Sequence, residues 1–298
     1  MNKRLKAHLS ILTANVIYGA NFTIAKEVMP AYIKPFGFIF FRIIFATLLY
    51  WIMSTLFIKE KIDKKDITRL ALLGLFGVAI NQLLFFKGLN ITRPINAAIM
   101  MITTPILVLI TAGFALRERI TLMKWTGVII GFIGALSLLL LKADFTLGSG
   151  TQKGDLYVLI NAASFAIYLV YAKSLMNKYN TFTIIKWVFL FGLICVFPFG
   201  YSEATEVDWA TMPLNIWLCL AFVVIATTCI AYLLNTYALG ALSSSTVSAY
   251  IYLQPLLASL IAVSLGKDEL NWIKLFSAFL IFLGVYLVSK QKKIGNHD

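Results

Sequence analysis

IYLQPLLASL, residues 251–260, sets Pro255 in the middle of a long apolar run. Proline lacks a backbone donor and its ring clashes with the preceding turn, so helix interiors avoid it. The chain nevertheless does this twice. MITTPILVLI, residues 101–110, carries Pro105, and 255 − 105 = 150 in a chain of 298 residues. Two long hydrophobic segments broken at matching places in two halves point to a duplicated unit.

Sixty per cent of the residues are hydrophobic, 13% are charged, and the mean hydropathy is +0.86. Soluble domains carry roughly 25% charged residues, because they must present a wet surface. Lipid is the solvent this composition fits, and one span of its hydrocarbon core takes about 20 mostly apolar residues. Ten candidate spans follow along the chain: 8–26, 36–58, 69–87, 95–116, 122–141, 155–173, 183–201, 214–238, 245–265 and 271–289. The expected fold is an all-α integral membrane protein with ten transmembrane helices. Residues 1–26 have a basic start, but Thr13, Asn15 and Tyr18 interrupt the apolar run and no clear small-residue cleavage site follows. That segment is read as a retained first helix.

The net charge is +13. Seventeen Lys and Arg fall in the loops on the side of the N-terminus and eight on the other side, while Arg42 lies within a span. The positive-inside rule then puts both termini in the cytoplasm. The charges form short rims between apolar spans, which excludes a nucleic-acid surface. Cys195, Cys219 and Cys229 lie in or near spans without metal-like spacing, and His8 and His297 lie near the ends. No metal, cofactor or catalytic cluster can be assembled at the membrane centre, and the chain is read as a non-enzyme. No Asp or Glu lies deep in a span either, which favours facilitated diffusion or exchange over proton antiport through a side-chain relay.

Aligning the two prolines pairs Leu89 with Leu239, Glu118 with Asp268, Lys124 with Lys274, Phe132 with Phe282 and Gly134 with Gly284. An offset of 173 − 26 = 147 pairs Lys26 with Lys173. The units are residues 1–142 and 155–289, with a linker at 143–154 and a cytoplasmic tail at 290–298. Each unit holds five spans. Five is odd, so the second unit enters the bilayer from the opposite side, and such inverted repeats are a plan of many secondary transporters. Each proline lies near the middle of its span, where the carbonyl it frees must be met by protein or a water-lined cavity. Pro105 and Pro255 are therefore candidate hinges.

Polar side chains within spans are costly and tend to face the bundle interior. Helical spacing groups Asn15, Tyr18 and Asn21 on span one. Asn161, Ser164 and Tyr168 share a face of span six. Span eight offers Thr228, Tyr232 and Asn235, and span nine offers Ser248, Tyr252 and Gln254 around Pro255. Span three contributes Asn81 and Gln82, and span four Asn96, Thr103 and Thr104. These are the candidate substrate-binding residues of a central pocket. Span five has instead Gly127, Gly131 and Gly134, a face suited to close helix approach within the chain or, less often, between two copies. A monomer and a homodimer both fit. Arg42 reads as a structural charge that pairs with a helix C-terminus or snorkels to the surface, with contact to an anionic substrate group as the alternative.

IYGANFTIAK (17–26), FRIIFATLL (41–49), KGLNITRPINAAIMMITTPIL (87–107) and YALGALSSSTVSAYIYLQPLL (237–257) together resemble the EamA family of the drug/metabolite transporter superfamily. LRERIT (116–121) resembles the stretch after that family's fourth helix, with Arg117 where it has glycine, and LGKDELN (265–271) is a looser second copy with Lys267 added. The resemblance covers nearly the whole chain. It implies ten helices in two inverted five-helix repeats around a cavity lined by helices one, three, four, six, eight and nine. It also implies a multi-pass carrier of the bacterial inner membrane, commonly an exporter of amino acids or related small metabolites. The expected function is therefore a secondary transporter working by alternating access, whose partners are a small-molecule substrate and the lipid bilayer. Export of lipophilic drug-like compounds is the alternative within that class. A membrane enzyme or a non-transporting receptor or scaffold is the alternative outside it.

Overall fold

A computed structural model describes residues 2–58, 60–115, 120–141, 152–264 and 271–290. Most of the linker, Arg117, Glu118, Lys267, Asp268 and the tail from residue 291 lie outside the described residues. The fold is all-α, and the described residues form ten helices with short connections. These are α1 (Lys3–Val28), α2 (Pro35–Phe57), α3 (Lys64–Ile91), α4 (Pro94–Met101 and Thr104–Ala115) and α5 (Leu122–Leu141). The second half contains α6 (Gln152–Met176), α7 (Thr181–Thr205), α8 (Leu214–Ala241), α9 (Ser244–Ser264) and α10 (Trp272–Ser289). Eight of them are long and apolar enough to cross a membrane. That count is made among the described residues, and α1 and α9 are the two helices outside it.

The ends are set by local chemistry. Asn2 caps α1 by accepting from the Arg4 amide, Pro35 opens α2 where its missing donor costs nothing, and the Ser243 hydroxyl accepts from the Thr246 amide at the start of α9. Five of the ten helices, α1, α3, α6, α7 and α8, run a few residues past the apolar limits read from the sequence, while the other five keep to them within a residue. At the start of α3, Lys178 meets Asp66 at 2.6 Å and also pairs with Asp63, and these carboxylates hold its ammonium above its usual range.

Packing makes the repeat visible. α5 lies along α10 and α2 along α7, while α6 packs on α3 and α4 and α1 packs on α8 and α9. Exchanging every helix for the one five places away turns this set of pairs into itself. The α5–α10 seam shows it atom by atom. Gly127 approaches Gly284, and Gly134 approaches Ser277; since 277 − 127 = 150 and 284 − 134 = 150, each contact is the image of the other. The glycine face read from the sequence is thus occupied within the chain. Lys26 reaches the carbonyl of Thr92 at the end of α3, 3.4 Å away, and Lys173 reaches that of Leu239 near the end of α8, 2.6 Å away. Both lysines cap the C-terminus of a repeat-equivalent helix, where positive charge is favoured.

Four interruptions share that symmetry. α4 breaks at Ile102 and Thr103, just before Pro105, and α9 tightens into a 3-10 turn at Tyr250–Tyr252, just before Pro255. α3 widens to a π-helix at Leu75–Ile80 and α8 at Phe222–Ala231, and 222 − 75 = 147. π-Segments are rare and collect at functional sites.

A Cβ on Gly284 would sit 2.6 Å from the Gly127 carbonyl oxygen and 2.6 Å from the Gly131 nitrogen, both backbone atoms. Gly284→Val should therefore destabilise the protein by about 1–3 kcal/mol or more. Gly240→Ala, where nothing lies within 4 Å, should be neutral. Thermal denaturation in detergent compares the two.

Candidate functional site

The interrupted helices surround one central cavity. Its wall is built by α1, α3, α4, α6, α8 and α9, with Arg42 added from α2. The cavity has a volume of about 90 Å³.

Nine of the residues singled out in the sequence meet there: Asn15, Tyr18 and Asn21 from α1, Asn81 and Gln82 from α3, Asn161 from α6, Tyr232 and Asn235 from α8, and Gln254 from α9. They are knitted across helices. The Gln254 amide donates to Asn15 Oδ1 at 2.9 Å, and Asn15 donates to the Ile11 carbonyl at 2.8 Å. Tyr232 accepts from Gln82 at 3.3 Å, and its own proton has two acceptors at 3.2 Å, the Gly77 carbonyl and Asn81 Oδ1. The Tyr18 ring stands edge-on to Tyr232, with centroids 6.5 Å apart. Asn161 donates to the Asn81 carbonyl at 2.5 Å.

The other eight candidates lie outside the wall, and each has a local reason. Thr103 and Thr104 turn back to the carbonyls of Met100 and Met101, and Ser248 turns back to that of Ser245. The Met101 carbonyl is the one Pro105 leaves without its helical donor, so Thr104, at 2.7 Å, repairs the break. Ser164 donates to the Phe76 carbonyl inside the first π-segment, and Thr228 donates to the Val223 carbonyl five residues back inside the second. Asn96 lies 3.4 Å from Asp155 at the start of α6. The Tyr168 ring covers Gly77 and its hydroxyl meets Thr236 at 3.3 Å, while the Tyr252 ring packs on Gly131. Of the two hinge candidates, Pro105 is buried and Pro255 is half-buried beside the wall.

Sequence reading had not placed Phe85, Phe86, Phe165 and Thr227 in this wall, and it offered substrate contact by Arg42 only as the alternative to a structural role. Apolar and aromatic residues carry no signal that separates a cavity face from a packed one. Arg42 did carry a signal, its charge, but it neither snorkels nor caps a helix end. It is 2% exposed, its Nε donates to Thr228 Oγ1 at 2.8 Å, and its guanidinium lies over the Phe86 ring at 4.4 Å. Several buried polar atoms of the wall have no protein partner: Asn21 Oδ1, Gln82 Oε1, Asn161 Oδ1, Asn235 Oδ1, Thr227 Oγ1 and Arg42 Nη1. No Asp or Glu is among the lining residues. A polar, uncompensated wall at the heart of a membrane protein suits a solute that brings its own hydrogen-bonding groups.

A model of the EamA-like transporter family matches residues 5–140 and 152–290. The chain belongs to that family. Its relatives include the uncharacterized transporter YyaM of Bacillus subtilis, 24% identical over 99% of this chain and 97% of that one. An uncharacterized transporter of Archaeoglobus fulgidus is 27% identical over 83% of this chain and 88% of its own length. A solved crystal structure superposes with a TM-score of 0.77 at 17% identity, covering 95% of this chain and 96% of that one, which shows a shared fold. The chain is a multi-pass membrane transporter.

The Asn15–Gln254 bond ties α1 to α9 across the repeat boundary. A double-mutant cycle of Asn15→Ala and Gln254→Ala, read as thermodynamic stability in detergent, should give a coupling of about 0.6 kcal/mol and no more than about 1.7 kcal/mol, the range of side-chain bonds inside membranes.

Proposed function

We propose that the protein is a secondary transporter that exports amino acids or related small metabolites across the bacterial inner membrane by alternating access. The observation that carries this is the cavity wall, where side-chain amides from α1, α3, α6, α8 and α9 converge on a space of small-metabolite size. Four amide oxygens there lack a protein partner, so a solute with several donors gains bonds on entry that the empty wall does not make. The aromatic rings of Tyr18, Phe85, Phe86, Phe165 and Tyr232 would receive its apolar part. Both termini lie in the cytoplasm in this proposal, following the excess of Lys and Arg in the loops on that side. Pro105 and Pro255 serve as hinges, because the helix ladder is already open beside each of them.

Proteoliposomes loaded with the twenty amino acids and common small metabolites, followed by mass spectrometry, test this reading. Wild-type protein should release a narrow subset. Asn235→Leu, which fills the wall at a side chain with no bond to lose, should slow that release at least tenfold with the fold intact. An imposed pH gradient should leave the final distribution unchanged, since no carboxylate lines the route. Release of lipophilic dyes instead of metabolites would replace this reading with drug export.

A further inference from the structure

We infer that Arg42 is the carboxylate anchor of this cavity, so that the transported solute must carry a carboxylate. This rests on the cavity being the transport site and goes further by naming the group the substrate must have.

Arg42 is held rather than neutralised. One nitrogen bonds Thr228, and the plane of the guanidinium is braced by the Phe38 and Phe86 rings at 5.5 and 4.4 Å. Such contacts orient a cation and offset part of its desolvation, but they bring no negative charge. Nη1 is buried without a protein partner, and among the described residues no acidic side chain lines the cavity. A buried cation in low dielectric is costly unless it is paired, and arginine keeps its proton. The missing partner is therefore an anion that comes and goes. Guanidinium is planar and forked, a match for the two oxygens of a carboxylate.

The rest of the wall sets the remainder of the solute. Asn21, Gln82, Asn161 and Asn235 present acceptor oxygens without protein donors, which suits an ammonium. One fixed positive charge suits a zwitterion or monoanion and disfavours a cation. The sequence departs from its own repeat at this point. Residue 42 + 147 = 189 is Phe189, which packs edge-on to Tyr232 with centroids 5.2 Å apart. The two halves share a backbone plan, and among the described residues only the first brings a charge to the cavity.

The test compares, in proteoliposomes, an amino acid that the wild type releases with its carboxamide, which has the same side chain and ammonium but no carboxylate. Wild type should prefer the acid at least tenfold. Arg42→Gln should lose that preference, bringing the ratio near one mainly by slowing the acid. Arg42→Lys should keep the preference and raise the KM for the acid about tenfold, since the charge survives and the fork does not. Thr228→Val, which removes the acceptor of Arg42 together with the bond to the Val223 carbonyl but no lining side chain, should raise KM for the acid more than for the carboxamide. An Arg42→Gln protein with the wild-type ratio would overturn the inference while leaving the transport reading intact. Should that variant fail to fold, an Arg42→Lys protein with wild-type KM for the acid does the same. Wild-type protein that releases neither an amino acid nor any other small metabolite would overturn both.

Discussion

A carbonyl displaced from its helix ladder inside hydrocarbon has no water to turn to. Much of this structure follows from that constraint. Four helices are interrupted near the middle, and in α3, α4 and α8 displaced carbonyls are met by hydroxyls. Thr104 meets Met101, Ser164 meets Phe76, Tyr232 meets Gly77, Thr228 meets Val223, and Tyr50, from α2, meets Cys229 at 2.6 Å. Three of these donors stand on a different helix from the carbonyl they serve. The breaks therefore oblige polar side chains to gather at the centre of the bundle. Once gathered, they leave amides to spare, and those amides form the cavity wall.

The same constraint explains what could be read from the chain. The ten spans were legible because apolar length is dictated by bilayer thickness, and the repeat because its prolines cannot be hidden in a helix. The six cavity helices were legible because polar faces inside lipid are rarely idle. Depth and partner choice were not. Spacing put Thr103, Thr104 and Ser248 on the right face, but a hydroxyl can bend back to a carbonyl of its own helix, and all three do. The π-segments were invisible, since LFGVAI and FVVIATTCIA have nothing in their apolar pattern that distinguishes them from ordinary helix. Arg42 was read first as a structural charge and only second as a contact to an anionic solute, because sequence shows a charge but not whether a carboxylate lies within reach.

Symmetry and its failure divide the labour. Tyr18 and Phe165 are 147 positions apart, as are Phe85 and Tyr232, and Met101 and Ile251 are 150 apart; all six line the cavity. The repeat thus sets where the wall is. Chemistry resides where equivalent positions differ: Asn81 against Thr228, Arg42 against Phe189, Thr104 against Gln254. A cavity identical on both halves would present a solute with the same groups twice, and small metabolites are themselves unsymmetrical. Divergence at the wall on a shared backbone plan is what such a ligand requires.

The seams also restrict how the cavity can open. Along α5 and α10 the backbones meet at Gly127 and Gly284, so closely that a single added Cβ at either would fall within 3.0 Å of the other's carbonyl oxygen. Along α2 and α7, a Cβ on Gly37 would sit 2.9 Å from the backbone of Glu203, whose carboxylate accepts from the amides of Phe36 at 2.7 Å and Gly37 at 3.0 Å. Both seams join one repeat to the other. Interfaces with so little side chain between them slide poorly, because interdigitated backbones have few alternative registers. Two halves riveted at both seams cannot simply separate. Motion is left to the six cavity helices, four of which already have an opened ladder near the centre. Bending there costs little, since the carbonyls are held by side chains that can follow them.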